Sequence, residues 1–265
     1  MAAPSWAFSR INLLVYSRYP LNPFFDSIWT MTNIFQLVFT GVMFVGAYYS
    51  TELSRLTGIG DFVSYWVLGG LVMTYGGITL STIAGSLRQE MQQGTLESCW
   101  MAPIRRFVLL TNRMLLNLLW VTVHNAITMP LVFLIYKPAW NPDWVSIMII
   151  LLLTILSNYS FGMLIGGVTI VSKNSTQIQA ILAEVLMIFS AYQFPLAVLG
   201  EWSVLSNFVP YYYSIRAFRA VVLQNATFQM IIPDLVFLTL FSTVFLALSY
   251  VVFKRLESVA KRRGN

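Results

Sequence analysis

The chain has 265 residues, of which 57% are hydrophobic, 15% aromatic and only 10% charged, with a formal charge of +6. Together with a mean hydropathy of +0.71, this excludes a soluble globular domain. One cysteine (Cys99) and one histidine (His124) exclude an intrachain disulfide and leave little for a metal site.

Continuous apolar runs argue against a β-barrel, whose strands alternate in roughly ten-residue pieces. A bilayer core of about 30 Å needs about 20 apolar residues per helix, and several windows qualify. The expected fold is therefore an all-α integral membrane protein, one domain over residues 1–265. Six transmembrane helices are expected, with an in-plane helix before them and a re-entrant external segment between the fifth and sixth. The surplus positive charge suits cytoplasmic loops and tails, not nucleic acid.

Residues 5–26 read as an amphipathic helix in the membrane plane. Trp6, Phe8, Ile11, Leu14 and Val15 face lipid, Arg10 and Arg18 reach the headgroups, and Pro20 and Pro23 turn the chain inward. No cleaved leader is expected, because the apolar piece 11–17 is bracketed by those arginines and includes Asn12. The first span is expected over about 28–49, ending in the interfacial pair Tyr48 and Tyr49. After a short loop at 50–60, the second starts near Asp61 and runs to about Ser86. That length exceeds the bilayer core, so the helix tilts or protrudes. Its small residues, among them Gly69, Gly70, Gly76 and Gly77, permit close helix contact or line a polar path.

Residues 87–106 (LRQEMQQGTLESCWMAPIRR) concentrate charge in a charge-poor chain. Arg88, Glu90, Glu97, Arg105 and Arg106 lie here, with the apolar knobs Met91, Leu96, Trp100 and Met101. Such a segment is useful only if it meets something in the water, and it reads as a docking handle. Gly94 permits a sharp change of direction, and Thr95 is placed to cap a short helix.

The third span is expected over about 107–136, with Asn117, His124, Asn125 and Pro130; the loop 137–143, holding Pro138 and Pro142, is a turn. The fourth covers about 144–171 and contains Gly162-Met-Leu-Ile-Gly166, a packing spacing. The fifth covers about 177–193, with Glu184 and Tyr192. Residues 194–225 are too broken for a span and too apolar for an ordinary loop, which suits buried re-entrant or interfacial helices. The sixth span is expected over about 232–253, with Pro233 in its first turn, followed by a basic tail. Lysine and arginine placement puts both termini and the handle in the cytoplasm, with Arg55, Lys137, Arg216 and Arg219 opposite.

Glu184 is costly at a helix centre, about 2.5–3.5 kcal/mol, and should face protein or a cavity. It reads either as a cation ligand in a substrate path or as a partner for a polar residue on a neighbouring helix. His124, Asn117 and Tyr192 are further path candidates, although interhelical hydrogen bonds explain the first two as well. Trp202 and Tyr211 to Tyr213 guard an exit or form an interfacial belt. Arg216 and Arg219 meet lipid phosphates or pair with Glu201 or Asp234.

Glu90 followed by Gly94-Thr95-Leu96-Glu97, then Pro103 and Arg105-Arg106, resembles the cytoplasmic signature of ABC-2-type transporter permeases. Phe194-Pro195-Leu196, Trp202, Pro210-Tyr211 and Arg219 are similar to that family's segment between its fifth and sixth spans. Cys99-Trp100-Met101 departs from the small aliphatics usual there. The resemblance implies the permease subunit of an ATP-driven exporter. Residues 5–26 would then be the connecting helix, 87–106 the coupling-helix region and 194–225 the external segment, with Phe194, Pro195, Trp202, Pro210 and Tyr211 at an external gate. Arg88, Glu90, Gly94, Thr95, Leu96, Glu97, Trp100 and Met101 would face a separate nucleotide-binding ATPase subunit. Two permease subunits would pair, as a homodimer among membrane lipids.

None of the four lysines follows a glycine, so a phosphate-cradling Gly-Lys-Ser/Thr loop is absent. No cofactor is expected on this chain; ATP and Mg would belong to the partner, and the expected location is a prokaryotic inner membrane. The cargo is expected to be lipid-like, a glycoconjugate or drug-like. The alternative is an ion-coupled secondary transporter using Glu184 and His124, but no internal repeat supports it. No HExxH or Gly-x-Ser-x-Gly suggests a hydrolase.

Overall fold

The computed structural model describes residues 21–45, 48–92, 106–171 and 175–263. In chain order its helices are α1 (Asn22–Val45), α2 (Thr51–Thr57), α3 (Phe62–Gln92), α4 (Arg106–Tyr136), α5 (Trp144–Val171) and α6 (Ser175–Phe189). A 3-10 segment (Leu196–Phe208), α7 (Pro210–Leu223) and α8 (Phe228–Arg263) follow. Among the described residues, four stretches are long and apolar enough to cross a bilayer: Phe62–Thr82, Thr111–Tyr136, Trp144–Ile165 and Phe228–Val252. They are the expected second, third, fourth and sixth spans, and they make the chain an all-α, multi-pass integral membrane protein. Helices α1 and α6 stand where the first and fifth were expected, outside that set of four; α6 has a shorter apolar core, Ala180–Phe189.

Local chemistry sets the boundaries. A helix begins with donors that have no partner inside it, and Asp61 Oδ1 accepts from the N–H groups of Val63 and Ser64 at 3.0 and 3.3 Å. Asp143 does the same for α5, accepting from Val145 N at 3.2 Å. The segment 50–60, expected as a loop, folds into a capped helix instead. Ser50 Oγ accepts from Leu53 N at 3.1 Å, and Gly58 ends α2 in the left-handed region at φ 74°.

Other bounds move for identifiable reasons. Helix α3 continues to Gln92 without a break, so Arg88 and Glu90 ride on its last turns; residues 93–105 of the handle lie outside the described residues. So do residues 1–20, most of the expected in-plane helix. Helix α6 stops at Phe189, short of the expected 193, because Ala191 takes φ 59° and turns the chain. Helix α8 starts at Phe228, five residues before Pro233, and runs on through the expected tail to Arg263.

Helix α7 has 14 residues, about 21 Å, and is too short to span. It is packed among α3, α5 and α8, and Ile215, Phe218 and Val221 join Leu68, Val72 and Ile150 in the main core. The most extensive helix pair is α5 with α8. Ser160 Oγ donates there to Ser242 O at 3.1 Å, and Phe161 meets Phe245 edge-on at 5.6 Å. The connectors 50–60, 137–143 and 223–226 meet at one end of the bundle. Asn141 N donates to Val222 O at 3.2 Å, and Gln224 Nε2 donates to Thr57 O at 3.2 Å.

Gly76 of α3 is required by its neighbours: a Cβ there would lie 2.2 Å from Tyr211 Cε1 and 2.9 Å from Asn158 Nδ2, whereas one at Gly77 would meet nothing within 4 Å. Gly76→Ala should therefore destabilise the protein by about 1–3 kcal/mol through overpacking. Gly77→Ala should be neutral or stabilise by up to about 1 kcal/mol through helix propensity. Paired thermal unfolding curves in detergent check both.

Candidate functional site

Helix α7 delivers Arg219 into the protein, where the residue is only 5% exposed. Its Nε and Nη2 donate to the carbonyl of Tyr65 at 3.0 and 2.7 Å. Its Nη1 donates to Ala191 O at 2.8 Å, and Nη2 also donates to Tyr192 O at 2.9 Å. The Tyr65 ring lies 3.4 Å from the guanidinium carbon, and the Tyr65 hydroxyl donates to Ala191 O at 3.0 Å. Burial pulls the guanidinium pKa down to about 10, with Tyr65 opposing the shift; the group remains a cation at neutral pH.

One of the two arginines takes an acid as expected. Arg216 Nε donates to Asp234 Oδ2 at 3.2 Å, with a second contact from Nη2 to Oδ1. Arg219 takes neither Glu201 nor Asp234. Its partners are main-chain oxygens, that of Tyr65 in α3 and those of Ala191 and Tyr192 in the turn after α6. Gly69 makes room, since a Cβ there would lie 2.6 Å from Arg219 Nη2.

Next to this clasp is a cavity of about 290 Å³ between α1, α3, α4 and the end of α6. Trp66 and Tyr192 form one wall, their rings 5.5 Å apart at 62°. Thr30 and Asn33 of α1, Thr74 of α3, and Asn125 and Thr128 of α4 supply its polar lining; among the described residues no acidic or basic side chain contributes. Most of these groups spend their hydrogens on the protein. Thr74 Oγ1 donates to Gly70 O at 2.7 Å, Thr128 Oγ1 to His124 O at 3.0 Å, and Asn33 Nδ2 to Trp29 O at 2.8 Å. Thr30 Oγ1 shares a hydrogen with His124 Nε2 at 2.9 Å. Trp66 Nε1 and Asn125 Nδ2 are different: both are buried, and among the described residues neither has a hydrogen-bond partner.

Of the four expected path residues, only Tyr192 lines this cavity. His124 is buried behind it, holding α1 to α4 through Thr30 and Ser27. Asn117 Nδ2 donates to Thr82 Oγ1 at 2.8 Å, tying α4 to α3. Glu184 is exposed on α6, on a face shared with Ile181, Val185 and Ile188.

The five gate candidates fall into separate places. Trp202 is exposed on the 3-10 segment, while Phe194 and Pro195 are half-buried. Pro210 and Tyr211 are buried, Tyr211 against Leu80, Ile165 and Leu186. Of the handle, Arg88 and Glu90 lie on α3; Gly94, Thr95, Leu96, Glu97, Trp100 and Met101 lie outside the described residues. Neither Tyr65 nor Trp66 carries a motif in the sequence that would have marked it.

A sequence model described as ABC-2 type transporter matches residues 13–223. No curated protein matches the chain.

The clasp has a stability signature. Arg219→Met strips Tyr192 O of this donor and leaves Ala191 O to the Tyr65 hydroxyl alone, and should cost roughly 2–3 kcal/mol. Arg219→Lys should recover less than half of that, because an ammonium lacks the planar fork that reaches separated carbonyls. Thermal unfolding of both variants, with limited proteolysis around 190–200, reads the two losses.

Proposed function

Because the chain belongs to the ABC-2 type transporter family, we propose that it is the transmembrane permease subunit of an ATP-driven exporter. Membership implies a partner ATPase, and on this reading that partner holds the ATP and Mg. The observation that carries the reading is the length of α3. It has 31 unbroken residues, about 46 Å at 1.5 Å per residue, well beyond a core of about 30 Å. Its last turns, cytoplasmic on this reading, carry Arg88 and Glu90, followed in the sequence by Gly94, Thr95, Leu96, Glu97, Trp100 and Met101. This surface seats in a cleft of the ATPase, and closure of two ATPase subunits on nucleotide rocks α3 between inward-open and outward-open arrangements. Packed interfaces hold discrete arrangements, so a rigid helix transmits such a push.

Two copies pair, in a prokaryotic inner membrane with cytoplasmic termini. Glu184 supports the pairing: a carboxylate on an exposed apolar helix face is expensive in lipid and is better covered by a second copy or a water-lined path. The basic residues of 254–263 support the orientation. The cargo is lipid-like, a glycoconjugate or drug-like, carried outward past Tyr192. His124 is engaged by Ser27 and Thr30, which weakens an ion-coupled mechanism through that residue.

In vesicles holding the permease and its copurifying ATPase, transport should require ATP and survive collapse of ion gradients. Glu90→Ala and Gly94→Pro should each lower transport per ATP hydrolysed by about tenfold, with membrane insertion unchanged. Full transport in both variants, or transport by the permease alone, overturns the lever.

A further inference from the structure

We propose that a second cavity, between α2, the 3-10 segment and α7, binds a phosphate group carried on an apolar stem, and that Arg216 is the residue that takes its oxygens. The site lies at the end of α3 away from Arg88 and Glu90, where the connector 50–60 meets the end of α7.

The cavity has a volume of about 350 Å³, within the range of small-molecule sites. Arg216 and Arg219 line it, and among the described residues no acidic side chain does. The two arginines contribute differently. Arg219 is buried and donates to the carbonyls of Tyr65, Ala191 and Tyr192. Carbonyls satisfy those donors as dipoles but carry no charge to cancel the cation, and no acid stands among its described partners. Arg219 therefore supplies field.

Arg216 supplies accessible donors. Its side chain is 47% exposed, whereas its partner Asp234 is 8% exposed and outside the cavity lining. Nε and one hydrogen of Nη2 go to Asp234, and one hydrogen of Nη1 goes to the Tyr212 hydroxyl at 3.0 Å. A guanidinium has five N–H groups, so two remain. The Tyr212 hydroxyl accepts from Arg216 and keeps its own hydrogen to give, and Tyr212 also lines the cavity.

Two cations against one carboxylate leave a surplus of one positive charge beside donors that have nothing to meet. Anionic oxygen answers both, since a charged donor and a charged acceptor bond roughly twice as strongly as a neutral pair. An ester or hydroxyl would leave the charge unanswered, and a cation would be repelled. Leu56, Ile59, Pro195, Leu196 and Ile215 make the remaining wall apolar, which suits a hydrocarbon stem. A membrane lipid and a single-chain amphiphile can both present such a phosphate, so the test has an arm for each.

The test uses the purified full chain, without the ATPase, in nanodiscs of neutral galactolipid, which holds no phosphate. The probes are octyl phosphate and octanol, with binding read by equilibrium dialysis against protein-free discs. The wild-type chain should bind octyl phosphate saturably and at least tenfold more tightly than octanol. Ala197 is exposed on the cavity wall, so Ala197→Glu sets a like charge beside the phosphate without entering the core, and should weaken binding about tenfold. Arg216→Gln combined with Asp234→Asn orphans no carboxylate and should weaken it to a similar degree. Arg55→Gln removes an exposed cation outside the lining and should change nothing. Displacement of the probe by phosphatidylglycerol added to the discs identifies a lipid phosphate as the fitting group. Persistence of the probe identifies a single-chain amphiphile, and either result supports the site.

Octyl phosphate binding no tighter than octanol overturns the proposal. So does undiminished affinity in both cavity variants, or an equal loss in Arg55→Gln, which marks a diffuse positive surface. The wild-type comparison and Ala197→Glu decide even if the double variant fails to fold. With neither nucleotide nor ATPase present, ATP coupling stands or falls separately.

Discussion

A single guanidinium holds three parts of this protein together. Arg219 reaches from α7 to the Tyr65 carbonyl on α3 and to the carbonyls of Ala191 and Tyr192 in the turn that ends α6. A buried cation is tolerable only when its donors are spent, and here they are spent on one carbonyl in the first turn of α3 and two in the turn after α6. The arrangement constrains everything around it. Gly69 lets the guanidinium approach, the left-handed turn at Ala191 presents the carbonyls, and α6 has to stop where it does.

That constraint also shapes the cavity. Fixing the main chain of Tyr192 sets its ring against Trp66, and the pair closes one side of the space between α1, α3, α4 and α6. On the far side, His124 binds α1 to α4 through Ser27 and Thr30. Thr128 donates to the His124 carbonyl. The cavity is thus framed by two polar contacts, one cationic and one neutral.

Much of the architecture could be read from the chain itself, because bilayer thickness imposes a length that hydropathy reports directly. Asp61 and the polar turn at 137–143 marked helix starts that the structure keeps. For His124 the sequence offered both a path role and an interhelical bond, and the structure shows contacts to Ser27 and Thr30 of α1. The environment of Arg219 was not legible: an arginine in a sequence suggests an acid, and backbone carbonyls leave no residue type to search for. The same holds for the α6 end, since Ala191 is no turn signal and adopts positive φ only because tertiary contacts require it. Gly69 and Gly76 were visible as small residues, but the glycine that must stay small and the one with room beside it, Gly77, look alike until their neighbours are placed.

Main-chain oxygens do not titrate anywhere near physiological conditions, which gives the Arg219 contact a property that acid-paired arginines lack. Where a carboxylate partner loses its charge on acidification, an amide partner keeps its dipole, and the cation itself holds its proton until pH approaches about 10. On the acid side this contact between α3, α6 and α7 therefore has no partner that titrates, unlike the Arg216–Asp234 contact that joins α7 to α8.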